Sequence, residues 1–103
     1  MKIHETIKNQ LIDAMRAKDE IRLNTLRSLI ALFANELIAK KSPDAFIDDE
    51  SATTLIRRSV KQHKDSIEQF IKGNRNDLVS KEKAELEILE TYLPKSMSKE
   101  EIK

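Results

Sequence analysis

A single glycine, Gly73, and two prolines are the only strong turn formers in a chain of 103 residues. Tight β-turns draw on glycine and proline for their backbone angles, so a sandwich or barrel of many short strands is disfavoured. Apolar residues instead recur every three or four positions along most of the chain, which is the period of one helix face. The pattern predicts an all-α fold, and the length predicts one domain for this stretch.

The first two helices are predicted over residues 3–17 and 20–39, where the apolar stripes are continuous. Asp19 lies between them and is a suitable N-cap for the second helix. The second helix carries apolar residues beyond a single stripe, so we expect it to be central and to pack on more than one side.

The third helix is predicted to start after a cap at Asp48 or Asp49 and to end at Gly73. We expect Gly73 to take the left-handed conformation that often ends a helix, since glycine adopts it at least cost. A cap within residues 74–77 starts the fourth helix, which runs to about Tyr92.

The last residues predict a further helix. Ser98 and Glu101 have the spacing of a capping box, in which the two side chains satisfy each other's backbone N–H groups. Residues 1–94 are therefore predicted to form a four-helix N-terminal domain. Residues 95–103 are predicted to be a linker and the start of a second, truncated helical domain.

Composition removes several classes of chemistry. The chain has no cysteine, hence no disulfide, thiolate metal site or cysteine nucleophile, and no glycine-rich loop that would cradle a phosphate. Nineteen basic residues against 18 acidic ones give a net charge of +1, so no overall field attracts nucleic acid or membrane. No secretory or membrane-spanning run is present, and we expect a cytoplasmic protein with no membrane partner.

The two histidines, His4 and His63, lack a second ligand-type residue at the spacing of a helical metal pair. We therefore predict no metal and no cofactor, and interpret His63 as a structural histidine at the edge of the core. A ligand or a general base stays open as the alternative for His63. The acidic residues of the fourth helix alternate with lysines and are interpreted as a solvated face; they are Glu82, Glu85, Glu87 and Glu90.

The strongest local charge feature is a basic group in the third helix: Arg57, Arg58, Lys61 and Lys64. Arg22 and Arg27 belong to a second basic group near the start of the second helix. Such faces can follow the phosphates of a folded RNA, although an ordinary solvated helix face has the same pattern. Aromatic residues are not interleaved with these charges, which disfavours stacking on single-stranded bases.

Several segments together resemble the GatB/YqeY family, in order along the chain. They are AMRAKD at 14–19, LNTLR at 23–27, VKQ at 60–62, DSIEQF at 65–70, GNRNDL at 73–78 and ELEILETYLP at 85–94. The resemblance implies the N-terminal helical domain of a YqeY-like protein, with a smaller helical domain missing after it.

The same module resembles the tail of GatB, a subunit of the tRNA-dependent amidotransferase that uses glutamine as amido donor. The resemblance therefore implies an accessory module without catalysis of its own. Its basic helix faces would bind tRNA, or else a protein partner that is an amidotransferase or an aminoacyl-tRNA synthetase. A protein–protein interaction module is the alternative. The family also carries an association with carbon–nitrogen ligase or amidase activity, for which no catalytic residue is predicted.

Overall fold

A computed structural model describes residues 2–93, which form four α-helices and no strand. They are α1 (Ile3–Ala17), α2 (Glu20–Ala39), α3 (Asp49–Lys72) and α4 (Asn76–Glu90). The predicted all-α fold is confirmed. The predicted capping box at residues 98–101 and the domain boundary after residue 94 lie outside the described residues.

Two of the predicted N-caps are confirmed by side-chain hydrogen bonds. Asp19 accepts the backbone N–H of Arg22 at 3.2 Å at the start of α2. Asp48 accepts the backbone N–H of Ser51 at 3.0 Å at the start of α3, and this bond lowers the pKa of the Asp48 carboxyl. Each carboxylate satisfies one N–H that the first turn of a helix leaves without a partner.

The turn between α3 and α4 differs from the prediction at one position. Gly73 follows the last residue of α3, as expected, but its φ is −91°. The left-handed residue is Asn74, with φ 59°. Asparagine reaches this region more readily than other side chains because its short polar group bonds locally, so the turn does not use the glycine's conformational freedom.

Both α2 and α3 contact the other three helices, so the prediction that α2 packs on more than one side is confirmed, but α2 shares the central position with α3. Helix α1 packs mainly on α2, whereas α4 packs mainly on α3. The largest fully buried side chains come from all four helices; they are Ile7, Leu26, Leu29, Phe33, Ile56 and Leu89. The outer side of α2 stays uncovered, and Ile38 is 73% exposed.

Candidate functional site

Helix α3 presents its predicted basic residues to solvent. Its buried residues, Ala52, Ile56 and Val60 among them, recur at helical spacing and face the other helices. The same period turns the basic group outward, and all four of its members are exposed: Arg57, Arg58, Lys61 and Lys64. The helix therefore carries a basic outer face over about two turns.

The four basic residues differ in their partners. Lys61 pairs with Asp65 on the same helix at 3.4 Å, and Lys64 reaches Glu90 of α4 at 3.9 Å. Arg57 and Arg58 form no ion pair with any carboxylate among residues 2–93. Since exposed ion pairs contribute little, about 0–1 kcal/mol, the two lysines can exchange their carboxylates for another anion.

Arg58 points to a different side of α3 from Arg57, because consecutive helix residues are about 100° apart. It lines an open surface depression of about 200 Å³, and α2 contributes Glu36 to the same depression. Glu50, from the first turn of α3, is a second acidic residue of the lining. The negative charges of Glu36 and Glu50 weaken the attraction of an anion to Arg58. Arg57 is therefore the better placed of the two arginines to bind an anion.

The second basic group lies on α2 and does not merge with the first. Arg22 is half-buried and lies close enough to Tyr92 for its charge to act on the phenol. Burial raises the pKa of Tyr92, and the Arg22 guanidinium partly opposes that rise. Arg27 is exposed. Among the described residues, no hydrogen bond or ion pair joins Arg22 or Arg27 to the basic face of α3.

His63 has partners that the sequence analysis missed. Its Nε2 atom lies 3.1 Å from Oε1 of Glu85 and 3.7 Å from Oε1 of Glu82, both on α4. The side chains of Glu82 and Glu85 are 21% and 13% exposed, which differs from the solvated face expected for the acidic residues of α4. The available signal was their spacing of three residues, which puts both on one face of α4; the packing of that face against α3 is seen only in the structure.

The other nitrogen of the His63 ring is held by its own helix. Nδ1 lies 2.9 Å from the carbonyl oxygen of Ser59, one turn earlier. A carbonyl only accepts hydrogen bonds, so Nδ1 carries the hydrogen and a neutral ring has its lone pair on Nε2. That lone pair then faces two carboxylates, and the contact is favourable only when a proton or a cation lies between them.

Comparison with known proteins finds similarity to yeast proteins named "Altered inheritance of mitochondria protein 41, mitochondrial". The protein of Lachancea thermotolerans is 40% identical over 87 residues, and that of Saccharomyces cerevisiae strain YJM789 is 37% identical over 87 residues. The protein of Vanderwaltozyma polyspora is 36% identical over the same length. Each alignment covers 84% of this chain and 46% of the relative, so the chain spans about half the length of the curated relatives it matches.

The names of these relatives contradict the predicted cytoplasmic location, because they are called mitochondrial proteins. That prediction was wrong. It rested on the absence of a secretory or membrane-spanning run, and the packing of a small helical domain does not depend on its compartment. None of the helices described in residues 2–93 is long and apolar enough to cross a membrane.

The segments that resemble the GatB/YqeY family reach all four helices and the turn between α3 and α4. A family profile described as "Yqey-like protein" matches residues 4–103, nearly the whole chain. The resemblance predicted from the sequence is thereby confirmed, and the chain belongs to the YqeY-like protein family.

Proposed function

We propose that this YqeY-like domain is a binding module that contacts the phosphate backbone of a folded RNA through the basic outer face of α3. One observation carries the proposal: Arg57, Lys61 and Lys64 share one exposed side of α3, and Arg57 has no carboxylate partner among residues 2–93. Transfer RNA is the class of RNA that the family resemblance suggests. The domain binds and positions its RNA and leaves any chemistry to a partner.

The weak pairs of Lys61 and Lys64 support this mode of binding. A phosphate that displaces Asp65 or Glu90 replaces one exposed ion pair with another, at little cost. The gain comes from counterions that the RNA releases when its phosphates are neutralised, so binding weakens as salt rises. The placement of Arg57, Lys61 and Lys64 on one side of α3 suits a shallow backbone contact in which no base is read.

The proposal is tested by measuring the affinity of the full chain for transfer RNA over a series of salt concentrations. Reversing two charges, Arg57→Glu with Lys61→Glu, is expected to weaken binding by at least about tenfold at low salt. It also reduces the slope of log affinity against log salt by about one for each lost contact. Unchanged affinity and slope in this double variant would refute the α3 face as the RNA-binding surface.

A matched control reverses two exposed lysines of α4, Lys81→Glu with Lys83→Glu, which changes the net charge by the same amount. We expect it to retain most of the affinity. If both double variants lose affinity equally, the effect is one of overall charge and the proposed surface is wrong. Release of ammonia from glutamine by the wild-type chain would contradict the non-catalytic part of the proposal.

A protein partner is the second candidate, and exposed apolar side chains favour it. Ile12 and Met15 lie one turn apart on α1 and are 45% and 52% exposed, and Ile21 of α2 is 39% exposed. Purified glutamine-dependent amidotransferase is the partner that the family resemblance suggests. Binding that is lost in Met15→Ser and kept in the Arg57→Glu, Lys61→Glu variant would favour this candidate over RNA.

A further inference from the structure

We propose that His63, Glu82 and Glu85 form a binding site for a divalent transition-metal ion such as Zn²⁺, which links α3 to α4. This site goes beyond the proposed RNA binding and does not depend on it. One ligand atom from each of the three residues lies within 4.8 Å of the other two. The residues come from two helices and converge only because α4 packs against α3.

The distances fit a shared ion. Two ligands of a tetrahedral Zn²⁺ with bonds of about 2.1 Å lie about 3.4 Å apart. The distances from Nε2 of His63 to the two glutamate oxygens are 3.1 Å and 3.7 Å, one on each side of that value. The two glutamate oxygens lie within 4.8 Å of each other, so rotation of the glutamate side chains has to bring them together for all three atoms to bind one ion.

The hydrogen bond from Nδ1 of His63 to the Ser59 carbonyl prepares the ring for metal binding. Histidines that bind metals usually donate their second ring N–H to a carbonyl or carboxylate, which fixes the tautomer and the orientation of the ring. Here the bond directs the Nε2 lone pair at the two carboxylates. A cation turns this repulsive arrangement of acceptors into coordination.

The charges around the site also call for a cation. Neither Glu82 nor Glu85 pairs with a lysine or arginine within residues 2–93, and both have His63 as their ion-pair partner. Two half-buried carboxylates beside a neutral imidazole carry a charge of −2, which one divalent ion balances.

The donor set selects the kind of metal. Imidazole nitrogen is a good ligand for zinc and its neighbours in the first transition row, whereas Mg²⁺ and Ca²⁺ prefer sites made of oxygen alone. Three protein ligands leave a fourth position of a tetrahedral ion for water. The partial exposure of the three side chains leaves room for that water.

The test is a titration of the untagged, metal-free chain with Zn²⁺ alone, followed by calorimetry, and with Co²⁺ followed by its visible absorption. We expect one ion per chain and an absorption spectrum typical of nitrogen and oxygen ligands. Glu85→Gln and Glu82→Gln keep the shape of the side chain and remove its charge, and each is expected to weaken binding by at least about tenfold. His63→Gln is expected to abolish it.

Glu87→Gln is the matched control, since Glu87 is an exposed glutamate of the same helix, and its affinity should equal that of the wild type. Thermal melts of the metal-free variants confirm that each one folds. A wild-type chain that binds no Zn²⁺ would overturn the proposal. An equal zinc affinity in the three cluster variants and in the control would also overturn the proposal. The contact between His63 and the two glutamates would then be an imidazolium–carboxylate ion pair.

Discussion

The backbone N–H of Ile47 donates a hydrogen bond to Nδ1 of His4 at 3.0 Å, across 43 residues of sequence. The bond joins the loop before α3 to the first turn of α1, and both residues are buried. The His4 ring contacts two aromatic rings, with centroids 4.9 Å from Phe33 and 5.0 Å from Phe46. Protonation of Nδ1 would place two donors against each other, so the fold requires a neutral imidazole here.

This relationship predicts a loss of stability in mild acid. Burial lowers the pKa of His4 below its ordinary value of 6.5, and the nearby charge of Lys8 lowers it further. The unfolded chain thus takes up a proton at a higher pH than the folded one. The stability that the neutral His4 contributes is therefore fully present above pH 6.5 and is lost as the pH falls through and below 6.5.

Thermal melts over this pH range measure the effect. His4→Asn keeps an acceptor near the Nδ1 position and removes the titratable ring, so its melting temperature should fall less with acidification. His63→Asn is the control, because it removes the other imidazole of the chain. We expect it to retain the fall in melting temperature that the protonation of His4 causes. An equally steep fall in His4→Asn would show that His4 is not its source.

Asp49 is predicted to stabilise α1 although it belongs to α3. Its Oδ1 atom accepts the backbone N–H of Ile3 at 2.8 Å, and Lys2, the N-cap residue of α1, provides no side-chain hydrogen bond. Asp49→Ala removes this acceptor and should lower the free energy of unfolding by about 1 kcal/mol. Asp49→Asn retains an acceptor oxygen and should lose less.

Hydrogen exchange locates the effect of Asp49. The amide of Ile3 should exchange faster in Asp49→Ala than in the wild type, while amides in the middle of α3 change little. A loss of protection centred on α3 would instead mean that Asp49 acts through its own helix.

The turn between α3 and α4 predicts opposite effects at adjacent positions. A Cβ added at Gly73 would lie 3.6 Å from the Gln69 carbonyl oxygen, an ordinary van der Waals contact, and the φ of Gly73 is negative. Gly73→Ala should therefore stabilise the domain by about 0.4–1 kcal/mol, because alanine restricts the unfolded chain. Asn74→Ala should destabilise it by about 1 kcal/mol, because Asn74 has a φ of 59°.

Urea unfolding of the two single variants tests whether Asn74 or Gly73 is the residue whose backbone conformation the turn depends on. If glycine at position 73 were required for a left-handed residue, Gly73→Ala would be the damaging change. Asn74→Gly serves as the control, since glycine accepts the same backbone angles without strain.

The sequence predicted what depends on near neighbours in the chain. The bounds of α1 and α2 and the caps at Asp19 and Asp48 follow from the apolar period and from carboxylates placed just before a helix. These signals act over three or four residues. The wide apolar surface of α2 likewise predicted that this helix packs on more than one side, as it does.

The site could not be predicted in the same way. His63 meets Glu85 across 22 residues, and the meeting depends on how α4 rotates about its axis against α3. The spacing of the apolar residues predicts which face of α4 is buried. It does not predict which polar side chain at the edge of that face contacts another helix. The exposure of Arg57 was predictable from its position on the outer side of α3. The ion pair of Lys64 with Glu90 and the surface depression lined by Arg58 are visible only in the tertiary structure, because each involves a second helix.

Tyr92 is predicted to hold the end of α4 against α1. Its hydroxyl donates a hydrogen bond to Oε1 of Gln10, across 82 residues of sequence. Tyr92→Phe keeps the ring in place and removes the donor, so the free energy of unfolding should fall by about 1 kcal/mol. A double-mutant cycle with Gln10→Ala should give a coupling energy of about the same size, and independent effects of the two changes would contradict the bond.

Alkaline unfolding gives a second readout for Tyr92. Burial raises its pKa above the ordinary value of 10.0, with Arg22 opposing part of the rise. The unfolded chain therefore releases the phenolic proton first, and stability falls as the pH rises above 10.0. Tyr92 is the sole tyrosine of the chain, so its ultraviolet absorbance follows the ionisation directly. The Tyr92→Phe variant should lack this part of the alkaline loss, and an identical alkaline profile would show that the folded chain does not hold the phenol neutral.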